Sequence, residues 1–331
     1  MWENATILVT GATGSFGKKF LKVLLAEHNP KAVRCFSRDE LKQSELAEMF
    51  KGEERLRLQI GDIRDRDRLM RATRGVDVLV HAAAMKQVPA SEYNPFEAVK
   101  TNVIGGENIV EAALANEIPK IISLSTDKAV NPVNLYGATK LCMEKLLIQG
   151  NSYAADSPSR FSVVRYGNVV GSRGSIVPIF LRQRDTGVVT ITDERMTRFW
   201  ITLEQGVRFV MSCAERMEGG EIFIPKIPSM KVTDIAEAIA PDAKREIIGI
   251  RPGEKLHEVM LTEDDSRHAG EFDDHYEIYP EYHWWTPKTT QPATPVEDGF
   301  RYSSDGNTHW MTPQDLRDLL PKIEEDFHVA G

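Results

Sequence analysis

Residues 5 to 28 run as an apolar β-rich segment, ATILVT, a glycine turn, GATGSFG, and an amphipathic segment, KKFLKVLLAEH. Gly11, Gly14 and Gly17 therefore space as GxxGxxG between a strand and a helix. In that setting glycines let backbone amides approach a pyrophosphate at a helix N-terminus. Strand-to-helix turns are often glycine-rich for other reasons, so the flanks carry the reading as much as the motif. The candidate dinucleotide loop comprises Gly11, Thr13, Gly14, Ser15, Phe16 and Gly17.

The alternation then repeats. Strands are expected at Ala32 to Ser37, Leu56 to Ile60, Val76 to His81, from Ile121 onward, and at Phe161 to Tyr166, with helical patterns between them. Strand, helix, strand at this spacing predicts an α/β fold with a parallel, doubly wound sheet of Rossmann type. Ligands of such sheets bind at the carboxyl ends of the strands. The second strand ends in Arg38, where an NAD site would place a carboxylate for the ribose hydroxyls. Arg38 with Lys42 suits a 2′-phosphate, and so NADP. Asp39 lies one residue late for the ribose role, and a charged helix start would also account for Asp39 and Glu40. Asp62, followed by Ile63, suits the adenine amino group. Ala82 and its small neighbours let a cofactor lie against the backbone, and Lys86 stands in the loop beyond. From Asn94 to Asn116 a long helical pattern carries Thr101 and Asn102, which can face the site or form an ordinary polar flank.

The stretch IISLSTDKAVNPVNLYGATK, Ile121 to Lys140, concentrates the reactive groups. A buried strand breaks at Asn131-Pro132 and a helix begins near Tyr136. Thr126, Asp127 and Lys128 precede the break. Tyr136 and Lys140 are four apart and share a helix face, so the ammonium is expected to lower the phenol's pKa and make it a proton acceptor for an alcohol.

Composition sets the outer limits. A chain of 331 residues, 41% hydrophobic and 27% charged, has the balance of a soluble globular protein. Its net charge of -8 argues against a nucleic-acid surface. Cys35, Cys142 and Cys213 are expected as buried thiols of a reducing compartment. No apolar run has the length of a membrane span and the first residues lack a signal-peptide pattern, so the expected location is the cytoplasm.

The glycine turn, the YxxxK pair and the loop RYGNVVGSRGS resemble the extended short-chain dehydrogenase/reductase family, which acts largely on nucleotide sugars. Within it, STDK followed by NPVNLYGATK resembles the inverting UDP-N-acetylglucosamine 4,6-dehydratases of pseudaminic acid synthesis. So do SRDELKQSE, ITDERMTRFWIT, GGEIFIPKIPSMKVTDIAEAIAP and IGIRPGEKLHE. The likeness is close over residues 5 to 262 and looser in the tail.

The resemblance implies an internal redox cycle on UDP-N-acetylglucosamine with NADP. Tyr136, held by Lys140, takes the C4 hydroxyl proton, Lys128 acts as base at C5, and Asp127 helps water leave. Retaining relatives carry an Asp-Glu pair where this chain has Asp127-Lys128. Gln43, Thr101 and Asn168 join the cofactor set by the same likeness. Lys86, Asn168, Val169, Arg251 and Glu254 form the substrate set, and a homo-oligomer, a hexamer, is implied. Arg251 and Glu254, in the turn RPGEK, suit a diphosphate and a ribose; a surface turn with a local ion pair is the other reading of those two residues.

Residues 1–170 and 192–220 are expected to form the cofactor domain, and 171–191 with 221–331 a smaller α+β substrate lobe. His257, His268, His275 and His283 with Asp273 and Asp274 fit no compact ligand spacing, so no metal is expected. Trp284 and Trp285 are expected in packing or oligomer contacts, and a terminal amphipathic helix from Met311 to Phe327. Three other functions share parts of this pattern: a retaining dehydratase or 4-epimerase, an NADP-binding regulator, and an assembly module.

Overall fold

The computed structural model describes residues 1–170, 176–282 and 293–330, with side chains described up to residue 323. Residues 171–175 of the RYGNVVGSRGS loop, His283, Trp284 and Trp285 lie outside the described residues.

Six strands alternate with helices through the first half of the chain. They are β1 (Thr6–Thr10), β2 (Ala32–Ser37), β3 (Leu56–Ile60), β4 (Val78–His81), β5 (Lys120–Leu124) and β6 (Arg160–Val164). Every residue of TILVT in β1 is buried, as a strand covered on both faces requires. The intervening helices are α1 (Ser15–Glu27), α2 (Glu40–Met49), α3 (Arg66–Ala72), α4 (Val88–Tyr93), α5 (Pro95–Val99), α6 (Gly105–Ala115) and α7 (Leu135–Tyr153). A π-helical turn, Lys100–Ile104, joins α5 to α6 and carries Thr101 and Asn102.

The second half holds β7 (Asn168–Val170), α8 (Ile176–Arg184), β8 (Val188–Ile191), β9 (Thr197–Thr202), α9 (Leu203–Arg216), β10 (Ile222–Pro225) and β11 (Ser229–Lys231). After α10 (Val232–Ile239) come β12 (Lys244–Ile247), β13 (Val259–Leu261), β14 (Ala269–Glu271), β15 (His275–Ile278), β16 (Thr294–Pro295), β17 (Tyr302–Ser303) and α11 (Pro313–Ala330).

Among the described residues the main sheet has the order β16-β14-β15-β10-β6-β5-β4-β1-β2-β3. From β3 through β10 the neighbours are parallel, with the order reversing between β1 and β4, which is the crevice where doubly wound sheets bind ligands. The expected parallel sheet is present, but the domain boundaries differ. β10, β14, β15 and β16 lie in the segment expected to be lobe and instead extend the main sheet, β10 parallel to β6 and β15 antiparallel to β10. The reason is burial: all four residues of IFIP in β10 are inaccessible, and the edge of β6 offers the place to bury them.

A second core, formed by Val177, Phe180, Val189, Trp200, Ile235 and Leu316 among others, belongs to the lobe. β9 joins the two bodies by the two-residue period of a strand. Phe199 and Ile201 enter the main core, while Trp200 between them enters the lobe core. β9 pairs with β7 and β11 outside the main sheet, although its segment was expected in the cofactor domain. Helix α9 is capped by a reciprocal Thr202–Gln205 box and is tied to α1 by Arg208–Glu27 and Lys19–Glu204 ion pairs.

Cys35 and Cys213 are buried as expected, but Cys142 is exposed on α7. No helix of the described residues is long and apolar enough to cross a membrane.

Candidate active site

The glycine turn closes against the end of β4. Gly11 has φ +68°, and a Cβ there would stand 2.9 Å from Ala83 N, so the turn admits only glycine without displacement. A Cβ on Gly17 would stand 2.4 Å from Ala12 O, which is how α1 packs so closely on β1. Gly14, at the cap of α1, offers no side-chain acceptor to the first turn, and that turn carries no acidic residue. The first-turn amides of Ser15 and Phe16, on half-buried residues with buried Thr13 beside them, are groups that could hold an anion. Thr10 Oγ1 accepts from the amides of Ala82 and Ala83 at 3.1 and 3.2 Å and donates to His81 Nδ1 at 2.8 Å, which fixes the Ala82 loop against the turn.

At the far end of the crevice Arg38 is exposed, 3.7 Å from Asp62. Asp62 is gripped by Arg64, and although burial would raise its carboxyl, the Arg64 bonds leave it lowered. Lys42 pairs with Asp39 at 3.4 Å. Asp39 caps α2 through the Lys42 amide, so this acid serves the helix start. Gln43 is buried, and its Nε2 donates to Cys35 O, Ser37 Oγ and Gln59 O, tying α2 to β2 and β3. Ile63 is buried against Gly105. Thr101 is buried in the π-helical turn; its neighbour Asn102 holds the backbone of Met85 by both N–H and C=O and reaches Thr139 on α7. Lys86 lies exposed just beyond Met85.

The reactive stretch folds as β5, a 3₁₀ turn over Asp127–Ala129, and α7, capped by Asn134 through the Gly137 amide at 2.8 Å. Asp127 is fully buried and Lys128 partly so. Lys128 Nζ donates to Asp127 Oδ1 at 3.1 Å and to Asn168 Oδ1 at 3.3 Å. Thr126 Oγ1 donates to the same Asp127 oxygen at 2.9 Å. Asp127 Oδ2 finds no donor among the described residues and is an orphaned buried acceptor. Burial raises the Asp127 carboxyl despite Lys128 beside it.

Burial alone would lower the Lys128 ammonium, yet Asp127 and Glu258 outweigh it and the group is held above its usual range. Two carboxylates thus outweigh burial and the nearby Arg198 cation at this ammonium. Tyr136 also departs from expectation. Burial pushes its phenol up to about 12, and the groups pulling it back are Lys128 and Thr126. Lys140 is turned away, its Nζ donating to Leu124 O at 2.7 Å and contacting Met143 Sδ at 3.0 Å, with its own pKa brought down to about 8 by burial.

The lobe completes the arrangement with groups that sequence reasoning did not single out. Glu258, just before β13, is buried 3.5 Å from Lys128 Nζ, 3.9 Å from Arg198 Nε and 3.7 Å from Lys255 Nζ. Lys255 donates to Val130 O and, at 3.3 Å, to Asp127 O. Arg198 and Lys255 lie within the quoted blocks ITDERMTRFWIT and IGIRPGEKLHE, and Glu258 ends the second; family likeness was the only signal for them. Arg251 and Glu254 face each other at 3.8 Å in the turn, which is anchored by Asn134 Nδ2 donating to Gly253 O at 2.8 Å. Val169 sits beside Asn168 on β7, partly exposed. His275 is enclosed by Asp274, Glu277 and Arg216, remote in sequence from these groups.

A sheet of this order, with Tyr136 and Lys140 on the helix that follows its fifth strand, makes the chain an extended short-chain dehydrogenase/reductase. It belongs to the polysaccharide biosynthesis protein family, whose model matches residues 7–280. The chain is 51% identical over 333 residues to the UDP-N-acetylglucosamine 4,6-dehydratase (inverting) of Campylobacter jejuni subsp. jejuni (strain 81-176), covering 98% of this chain and 99% of that protein. Among solved structures it resembles Pen from Bacillus thuringiensis, at 38% identity and TM-score 0.89 over 98% of this chain and 99% of that one. The fold also matches DesIV, a dTDP-glucose 4,6-dehydratase from Streptomyces venezuelae solved with NAD, at 23% identity and TM-score 0.68 over 76% and 86% of the two chains.

Proposed function

We propose that the chain is an inverting UDP-N-acetylglucosamine 4,6-dehydratase, a hydro-lyase that works by internal redox. The observation that carries this reading is the buried Asp127–Lys128 pair, bonded at 3.1 Å on the turn that leads into Tyr136.

The glycine turn at Gly11, Gly14 and Gly17, closed against Ala82 and Ala83 where a Cβ on Gly11 would meet backbone, fits the binding of a nicotinamide dinucleotide. Exposed Arg38 supports NADP over NAD, because its guanidinium stands where a 2′-phosphate would meet it while Asp39 is spent on the helix cap. A nicotinamide held there would supply the hydride acceptor for C4 and the hydride donor for C6 of the sugar.

The chain's own groups handle the protons. Tyr136 receives the C4 hydroxyl proton, with Lys128 and Thr126 opposing the burial that disfavours its anion. The C4 ketone acidifies C5, where Lys128 is the base. A lysine base must first be neutral. Transfer of one proton from Lys128 to Asp127 across their hydrogen bond converts the ion pair into a neutral amine and a neutral carboxylic acid without changing net charge. Exclusion of water favours the neutral form of such a pair. Asp127, raised by burial, then holds the proton that leaves with the C6 hydroxyl as water. A proton from solvent reaches C5 on the opposite face, giving the L-arabino 4-keto sugar, and Tyr136 returns the proton it took from the C4 hydroxyl to solvent, which restores the enzyme. Arg251, Glu254, Lys86, Asn168 and Val169 are assigned to the sugar nucleotide, a reading supported by the bond of Asn168 to Lys128 and of the RPGEK turn to Asn134.

The product analysed by proton NMR after turnover of UDP-N-acetylglucosamine in heavy water tests this reading. A 6-deoxy-4-keto sugar with deuterium at C5 and inverted C5 is expected; unchanged C5 configuration would overturn it. We further assign the enzyme to pseudaminic acid synthesis in the cytoplasm, as a homo-oligomer. Exposed Tyr93, Phe96 and Ile104 along α4, α5 and the π-helical turn supply apolar surface suited to self-association.

A further inference from the structure

Five ionisable groups meet behind the proposed C5 base. Lys128 is faced by Asp127 on its own turn, Tyr136 from α7, Arg198 from β9, and Lys255 and Glu258 from the segment before β13. His257 in that segment turns away to Thr197 Oγ1 at 2.8 Å. With Asp127, Glu258, Lys128, Arg198 and Lys255 all ionised, three cations oppose two anions. The cluster therefore carries one surplus positive charge, and loss of a single proton neutralises it. The Arg198 guanidinium is engaged with the carbonyls of Thr197, Lys255 and Leu256. Lys255 is occupied by Asp127 O and Val130 O. Lys128 is the cation whose other contacts, Asp127 Oδ1 and Asn168 Oδ1, line the proposed sugar site.

Glu258 is itself locked from behind. Its amide donates to Ser304 Oγ at 2.9 Å and its carbonyl accepts from the Ser304 amide at 2.8 Å, so the Glu258 backbone is held next to the β13–β17 pairing. Its Oε1 lies between Lys128 and Arg198.

We infer that Glu258 is a positioning residue that holds the Lys128 ammonium at Asp127 and sets its strength as a base, an inference that rests on the dehydratase reading for its consequence in turnover. Arg198 and Lys255 share the charge of Glu258, so Lys128 is made a stronger base without being locked as a permanent ion pair. A carboxylate near an ammonium stabilises the protonated form it reaches after taking the C5 proton. Replacing Glu258 by a neutral isostere removes that anion and leaves Arg198 and Lys255 in place, so Lys128 loses its proton at lower pH.

The test compares wild type, Glu258→Gln and Glu258→Asp. Competitive trace acetylation, read by mass spectrometry of the peptide containing Lys128, follows the neutral amine against pH with no need for turnover. Glu258→Gln is expected to move the midpoint of Lys128 labelling to lower pH by about one unit or more, and Glu258→Asp to restore most of it. In turnover, the acid limb of kcat against pH is expected to move the same way while plateau kcat falls about tenfold and KM changes by less than about twofold. A labelling midpoint unchanged in folded Glu258→Gln overturns the inference. So does a fall in kcat at every pH with no movement of the limb, which is what a merely structural role would give. Wild type that labels as expected but does not turn over UDP-N-acetylglucosamine would overturn the functional reading and leave the role of Glu258 supported.

Discussion

Gly137 lies directly on the carbonyl oxygen of Lys128: a Cβ on this glycine would stand 2.0 Å from that atom. The first turn of α7, which carries Tyr136, is thereby fitted to the 3₁₀ turn that carries Asp127 and Lys128, with the Asn134 cap alongside. Two catalytic segments separated in sequence by a loop thus share one rigid contact. Gly137→Ala must push them apart, because the obstructing atom is backbone. The expected result is a loss of about 2 kcal/mol in stability and a fall in kcat of about a hundredfold, measured by urea unfolding and steady-state turnover. Stability and kcat both near wild type would show that the two segments are positioned independently.

Lys128→Ala separates the general redox part of the reaction from the dehydration. The variant leaves the glycine cradle and Lys140 in place, so cofactor affinity measured by calorimetry is expected to stay within about twofold of wild type, while the Tyr136 phenol loses one of the two groups that oppose its burial. Loss of a general base lowers turnover by about a thousandfold, and exchange of the C5 proton into heavy water should cease with it. A near wild-type rate would remove Lys128 from the base role.

Arg38→Glu tests the cofactor assignment. A carboxylate at the end of β2 would accept the ribose hydroxyls and repel a 2′-phosphate. The expected outcome is a preference for NAD over NADP, read as the ratio of the two affinities for the purified protein. An unchanged ratio would refute Arg38 as the phosphate contact.

The framework was legible in the sequence because buried parallel strands leave an unmistakable mark: TILVT, AVRCFS and FSVV are nearly continuous apolar runs, and the glycines stand where backbone must meet backbone. Asp127, Lys128 and Tyr136 were legible because they are local, on one strand-to-helix turn. Their protonation was not. It depends on Glu258, Arg198 and Lys255, brought from distant segments by β9 and the approach to β13, and no period or spacing in the chain announces that convergence. The same limit misassigned β10, since a buried IFIP shows that a strand is covered but not which sheet covers it. Gln43, at the cofactor end of β2, spends its amide nitrogen on the strands beneath it, a tie that no local pattern in the sequence announces.

The last prediction concerns Lys140, whose ammonium is buried against Leu124 O and Met143 Sδ with its pKa brought down from 10.5 to about 8. The folded state gives up this proton near pH 8, the unfolded chain near 10.5. Below pH 8 both states hold it and the penalty for burying the charge is constant. Between pH 8 and 10.5 the unfolded chain binds more protons, so this group makes stability rise with pH. Lys140→Met keeps the length and apolar stem of the side chain and removes the titration. Wild type is expected to gain about 2 kcal/mol relative to the variant between pH 7.5 and 10, measured as the difference of two urea unfolding series, which cancels the other titrating groups. A parallel pair of series would show that Lys140 is no more easily deprotonated than an exposed lysine, and would remove burial as a cause acting on its ammonium.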